Sequence, residues 1–248
     1  MTGIRKVETP EDYPPEDGCY LRGNDYSPVA VLVILKWIRE ETPPEIEELV
    51  RVGVETGAAL SGTLQTENIG LEKVICNVVA NPNIRYLVVC GPESPGHLVG
   101  ATILALARNG VDARRRIIGA EAPTPFLFNI PIESIERFRD QVTVIDLVDE
   151  GSPDILREAV HACYQEEPTA FRDLLVHDVG AYDDAPICRP ITWRITDPAR
   201  EPKSDEEREQ VERARALMER VKRTAAERYA LSHPGQGQTP PTKRADHS

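Results

Sequence analysis

The sequence predicts an α/β domain with a mostly parallel sheet, followed by a C-terminal amphipathic helix and a disordered tail. Three observations carry this. Tyr86-Leu87-Val88-Val89-Cys90 is a continuous, β-branched apolar run, the pattern of a strand buried on both faces of a parallel sheet. Segments with helical period alternate with such runs on either side of it, as βαβ units require. Near residue 195 the composition changes: the last 53 residues hold 11 basic and 10 acidic side chains, whereas the 248-residue chain as a whole carries a net charge of −12.

Read in order, residues 1–19 are rich in acids and form an N-terminal extension with no apolar core of a signal peptide. Residues 29–35 are uniformly apolar, and periodicity alone leaves strand and helix start both open. Pro43-Pro44 opens a helix that runs from Glu45 to about Thr56, since proline suits a first turn. Residues 58–62 are small and apolar, and 63–68 are polar without a strand or helix period. A helix over 70–80 places Leu71, Val74, Ile75 and Val78 inward, and Asn81-Pro82-Asn83 ends it. After the 86–90 strand comes a loop over 91–96, then a helix from 97 or 98 to 108 that stops at Asn109-Gly110. A short strand over 117–119, a short helix over 132–139 and a strand over 142–148 complete a domain spanning 20–195. The linker and helix occupy 196–233. Ser204-Asp205-Glu206-Glu207 is a capping box, and Val211, Leu217, Met218 and Val221 then share one narrow face. That stripe suits docking on the domain, a partner contact or a homo-oligomer. Residues 234–248, rich in Gly, Gln and Pro, read as disordered.

The charge excludes some functions. A chain at −12 lacks the basic stripe that phosphate backbones or anionic membranes require. The apolar run at 29–35 stops at Lys36, far short of the ~20 residues of a spanning helix. Cys19, Cys76, Cys90, Cys163 and Cys188 include no CxxC pair, which predicts reduced thiols, a cytoplasmic protein and no thiolate metal site.

Open parallel sheets bind ligands beyond the carboxyl ends of their strands, so the loop after the best strand draws attention. It reads Cys90-Gly91-Pro92-Glu93-Ser94-Pro95-Gly96-His97-Leu98-Val99-Gly100. Gly91, Gly96 and Gly100 would let backbone approach something bulky. His97 sits at the junction of loop and helix. Four readings of it stand: a phosphate loop, which lacks GKS/GKT and GxGxxG spacing; a catalytic base, which lacks a GxSxG-type nucleophile; a helix-capping histidine; and a single axial ligand to a large cofactor metal.

A longer pattern adds to this. Gly57-Ala58-Ala59-Leu60-Ser61-Gly62, Thr66-Glu67-Asn68-Ile69-Gly70-Leu71-Glu72-Lys73-Val74 and Asn81-Pro82-Asn83-Ile84-Arg85 come first. Cys90-Gly91-x-Glu93-x-x-Gly96-His97-x-x-Gly100, Asn109-Gly110-Val111-Asp112, Ile117-Ile118-Gly119-Ala120, Pro125-Phe126, Asn129 and Ile135-Glu136-Arg137-Phe138 come after them. In this order, over residues 20–180, the chain resembles the A subunit of the methanogen tetrahydromethanopterin S-methyltransferase. That resemblance implies a Rossmann-like three-layer domain that holds a cobamide (cobalamin or a related corrinoid), with His97 as the lower axial ligand of its cobalt and no catalytic residue beyond it. It also implies a methyl-carrier component of a methyltransferase. The carrier would take a methyl group from a component presenting methyl-tetrahydropterin or methyl-tetrahydrofolate and pass it to an acceptor. Thr66, Glu67, Asn68, Gly91, Glu93, Gly96 and Gly100 would line the cofactor, with Gly119, Pro125 and Asn129 on a facing loop. Glu93, then Glu67, is the carboxylate expected to hold the second imidazole nitrogen. Alternatives are a non-catalytic corrinoid carrier or sensor, and a nucleotide-binding enzyme of this fold that has lost corrinoid.

The chain also departs from the family pattern. Residue 101 is alanine where glutamine is expected, Ala122-Pro123-Thr124 interrupts a more hydrophobic stretch, and a charged helix stands in place of a C-terminal membrane anchor. His161 and Cys163 fall on a helix without sharing a face. His177-Asp178 and Asp183-Asp184 read as loop and turn residues, and Trp37 and Trp193 as packing residues.

Overall fold

A computed structural model of the chain describes residues 3–36, 42–191 and Glu209. The chain divides into two units, Met1–Trp193 and Arg194–Ser248, and the first contains every described residue except Glu209. The predicted C-terminal helix, apart from Glu209, and the tail lie outside the described residues, as do Trp37 and Trp193.

Strands β1 (Tyr20–Arg22), β2 (Val29–Ile34), β3 (Leu60–Leu64), β4 (Tyr86–Gly91) and β5 (Thr143–Val148) form one sheet in the order β1-β3-β2-β4-β5. All neighbours are parallel except β1, which lies antiparallel at the edge of β3. The run at 29–35 is therefore a strand, and a central one, with every residue of β2 buried. Its side chains alternate between two cores. Val29, Val31 and Val33 join the core beneath α1 (Pro44–Glu55) and α5 (Pro153–Cys163). Ala30, Leu32 and Ile34 join the opposite core, beneath α2 (Ile69–Val79), α3 (Val99–Asn109) and α4 (Ile132–Gln141). Helices thus cover both faces, as the apolar composition of β2 and β4 demands.

Local chemistry sets the helix ends. Pro44 starts α1, with Glu45 and Glu47 in its first turn, favourable at the positive end of the helix dipole. Asn68 caps α2 and Ser152 caps α5. Residues 3–19 pack onto the domain: Tyr13 and Glu16 are buried, and Asn83 donates to the carbonyls of Val7 and Asp25. A hairpin of β6 (Thr169–Phe171) and β7 (Leu174–Val176) stands apart from the main sheet.

The strand expected over 117–119 does not form. Ile117 makes single bridging contacts within the 110–131 connection, its N–H donating to the Pro125 carbonyl at 2.8 Å, and it never reaches the sheet. Two adjacent isoleucines carry β propensity, but Ile117 pairs only within its own connection, bridging Val111.

Candidate functional site

The sheet order places the carboxyl ends of β3 and β4 on either side of β2. The chain leaves β2 toward β3 and later crosses to β4, so the connections diverge at β2 and β4. This is the switch point at which such sheets open a crevice.

His97 reaches this edge from the loop joining β4 to α3. Gly96 and Leu98 flank it in left-handed conformation, with φ of 87° and 48°, and the Ser94 carbonyl accepts the N–H groups of His97 and Leu98 at 3.2 and 2.8 Å. The Glu93 carboxylate closes the turn, accepting the backbone N–H of Ser94 at 2.7 Å, of Gly100 at 3.0 Å and of Ala101 at 2.7 Å. It thereby satisfies first-turn amides that α3 cannot bond internally. Gly100 is required for packing. A Cβ there would lie 2.6 Å from Ile34 Cδ1, 2.8 Å from Glu93 Oε2 and 3.0 Å from Val148 Cγ2. At Gly96 a Cβ would meet nothing within 4 Å, so there the φ alone calls for glycine.

Between β3 and α2, Thr66 and Asn68 both bond the start of the helix: Thr66 Oγ1 accepts the Gly70 N–H at 2.9 Å and Asn68 Oδ1 the Ile69 N–H at 2.7 Å. Glu67, between them, turns inward and is 1% exposed. Its Oε2 lies 2.8 Å from His97 Nδ1, and its Oε1 accepts the backbone N–H of Thr124 at 3.0 Å and the Thr124 hydroxyl at 2.7 Å. Burial pushes the Glu67 carboxyl up. Hydrogen bonds from Thr124, from its own backbone and from His97 more than offset this, and hold it below the usual carboxylate range. An ionised carboxylate only accepts, so the shared hydrogen is on His97 Nδ1, and in the neutral imidazole the lone pair is then on Nε2. The His97 side chain is 38% exposed. Among the described residues the imidazole is held by one nitrogen and no hydrogen bond engages the other.

This reverses the expected ranking of the two carboxylates. Glu93, four residues from His97, has both oxygens occupied by the backbone that opens α3, and Glu67 from a different loop holds the ring. The other expected site residues divide. Gly91 ends β4, its N–H donating to the Glu150 carbonyl at 2.7 Å. Asn129 donates its backbone N–H and its amide, both at 2.7 Å, to the two oxygens of Glu72, a fully buried carboxyl that burial pushes up. Pro125 is buried and Gly119 is exposed, and no hydrogen bond joins either to His97 or Glu67 among the described residues. The facing loop does reach the site, through Thr124, which sequence reasoning missed. The signal was there: Thr124 lies in the stretch that departs from the family pattern. His177 and His161 lie away from this loop. Asp178 pairs with Lys6 at 2.7 Å, and Asp183 and Asp184 pair with Arg5 and Arg137, both at 3.3 Å.

Among the described residues no group of three His, Cys, Asp or Glu side chains is arranged to hold a bare metal ion. His97 instead offers a single nitrogen, Nε2, on a partly exposed side chain that is oriented from behind. That donor set fits a metal that brings its remaining ligands in a macrocycle. Two residues beyond Thr124, the rings of Phe126 and Phe128 stack at 5.2 Å with Phe128 61% exposed. A cavity of about 280 Å³ between α2 and strands β1–β3 includes Gln65, Thr66 and Gly70, the sequence neighbours of Glu67.

Comparison with known proteins gives consistent results. The family of the tetrahydromethanopterin S-methyltransferase A subunit matches residues 6–187. The A 2 subunit of that enzyme from Methanothermobacter thermautotrophicus is 43% identical over 185 residues, covering 74% of this chain and 89% of the relative. The A 1 subunit from the same organism is 37% identical over 193 residues, 76% of each chain. The A subunit of a putative methyltransferase Mtx from Methanosarcina acetivorans is 38% identical over 164 residues, 64% of this chain and 76% of the relative. Among the described residues no helix is long and apolar enough to cross a membrane.

Proposed function

The chain belongs to the family of the tetrahydromethanopterin S-methyltransferase A subunit, and from that premise we propose that it is a cytoplasmic methyl-carrier subunit that binds a cobamide through His97 Nε2. Its methyl donor would be a methyl-tetrahydropterin or methyl-tetrahydrofolate, presented by another component of a multi-subunit methyltransferase. When bound, the cobamide supplies a cobalt centre able to accept a methyl group and give it up.

The chain's own residues supply orientation. Glu67 anchors Nδ1 and so fixes both the tautomer and the direction of the ring, the arrangement that makes imidazole a dependable metal ligand. Its burial keeps water from competing for that hydrogen bond. Glu93 and Gly100 set the first turn of α3 against the ends of β2 and β5, which fixes where the backbone of His97 stands. The observation that carries the reading is the 2.8 Å contact of His97 Nδ1 with a carboxylate that is 1% exposed, leaving Nε2 the free donor at the sheet's switch point.

The test is reconstitution of the full chain with hydroxocobalamin, followed by gel filtration and a visible spectrum. Wild type is expected to elute coloured, with a spectrum that His97→Ala changes to that of corrinoid lacking a protein nitrogen ligand. A colourless wild type, or a His97→Ala spectrum identical to wild type, overturns the proposal.

A further inference from the structure

Glu67 is itself held, and the holding groups can be followed hydrogen by hydrogen. Asn68 Oδ1 accepts the Ile69 N–H at 2.7 Å, which leaves the amide nitrogen of Asn68 facing Thr124. That nitrogen donates to Thr124 Oγ1 at 3.0 Å. Because the hydroxyl accepts there, its own hydrogen points to Glu67 Oε1 at 2.7 Å, and the Thr124 backbone N–H donates to the same oxygen at 3.0 Å. With Oε1 receiving two donors, Oε2 is the oxygen presented to His97. A second clamp of the same design lies five residues further along both segments, where the backbone and side chain of Asn129 donate to Glu72. Two carboxylates on or beside α2 therefore strap the 120–130 loop, and one of the two straps is shared with the imidazole.

We infer that Thr124 is a positioning residue for His97: its hydroxyl and amide fix the Glu67 carboxylate that fixes the ring, so the placement of the loop and that of the imidazole are one coupled arrangement. Only the role of the imidazole as a metal ligand rests on the function proposed above; the relay Asn68–Thr124–Glu67–His97 does not depend on it. The Glu72–Asn129 clamp keeps the loop attached when the Thr124 hydroxyl is removed. Thr124 is itself exposed, so Thr124→Val deletes a donor without opening the core.

The experiment compares wild type, Thr124→Val and Thr124→Ser as full-length chains with 15N-labelled histidine and no corrinoid, at one fixed neutral pH. In wild type and Thr124→Ser, His97 is expected to give the signals of a single tautomer with its hydrogen on Nδ1, protected from solvent exchange. In Thr124→Val that protected signal is expected to be lost, with the signals of His161 and His177 unmoved. A Thr124→Val protein with wild-type His97 signals, or a Thr124→Ser protein that loses them, overturns the inference. Adding hydroxocobalamin separates it from the proposal beneath it. Failure of wild type to take up corrinoid sinks the functional reading and leaves the tautomer result standing, whereas unchanged tautomer signals sink Thr124's role even in a protein that binds corrinoid.

Discussion

Exchanging the two carboxylates near His97 for amides, one at a time, should separate stability from ligation. Glu93 accepts three backbone N–H groups at the start of α3. In Glu93→Gln, one oxygen can still serve Ser94 and Gly100, but the new NH2 faces the Ala101 N–H, donor against donor. Loss of one charge-assisted bond costs about 1.5–3 kcal/mol in a buried setting and less at this half-buried position. Loss of negative charge at the helix N-terminus adds about 0.3–1 kcal/mol. A total near 2 kcal/mol, with a urea slope of about 2 kcal/mol/M, moves the unfolding midpoint down by about 1 M. Glu67→Gln acts differently. Its amide can accept from Thr124 only by turning NH2 toward His97 Nδ1, which moves the ring's hydrogen to Nε2 and removes the free lone pair. Urea titrations and hydroxocobalamin spectra of both variants supply the assay. Glu93→Gln should lose midpoint and keep the nitrogen-ligated spectrum, and Glu67→Gln should lose that spectrum. The reasoning fails if Glu93→Gln unfolds at the wild-type urea concentration, or if the spectral loss belongs to Glu93 rather than Glu67.

Three further outcomes are expected. Gly100→Ala pushes a methyl into Ile34, Glu93 and Val148 and should cost about 1–3 kcal/mol; calorimetry showing an unchanged Tm would contradict the packing described. Burial raises Glu72 above its ordinary value of 4.5, so its protonated form is the one the fold favours. That contribution is complete below 4.5 and is lost as pH rises through the raised value. Urea midpoints measured across this range should accordingly decline less steeply with pH in Glu72→Gln than in wild type, and equal slopes would refute the assignment. Burial also pushes the thiols of Cys76, Cys90 and Cys163 up to about 12, while Cys19 is exposed. A thiol reagent applied at about pH 8 should label Cys19 quickly and those three only after denaturation, because the thiolate is the reactive form. Rapid labelling of Cys90 in the native protein would contradict the closed end of β4.

Continuous apolar runs and strong helix periods were legible. The 86–90 strand, the helices at 45–56 and 70–80 and the alternation that implies a parallel sheet all correspond to observed elements. What the sequence hid has physical causes. Strand β3 is Leu-Ser-Gly-Thr-Leu, with no β-branched run, and it is a strand because β2 and β1 pair with it on both sides. Strands β1, β6 and β7 are three residues each, too short for any period to register. Several residues that carry the family resemblance turn out to stitch the fold together: Asn81 and Asn83 fasten the N-terminal segment through the Asp25 and Val7 carbonyls, and Asn129 closes the Glu72 clamp. His97 was legible because a histidine between a strand end and a helix start is visible in one dimension. Thr124, 57 residues beyond Glu67, was not.

The partner of His97 illustrates why. Proximity in sequence favours Glu93, but the start of a helix presents backbone N–H groups that no intrahelical carbonyl can reach. A carboxylate placed there is drawn onto them, and Glu93 is fully engaged before it could serve the imidazole. The orienting acid must therefore arrive from another strand. The order β3-β2-β4 sets the ends of β3 and β4 two strand spacings apart, about 10 Å. A glutamate extended from one helix start and an imidazole from the other together cover that span and meet at 2.8 Å. A nearest-neighbour sheet order would have crowded the two loops, and a wider separation would have left both groups to water. The crossover that defines the switch point is thus what makes room both for an oriented donor and for whatever it binds.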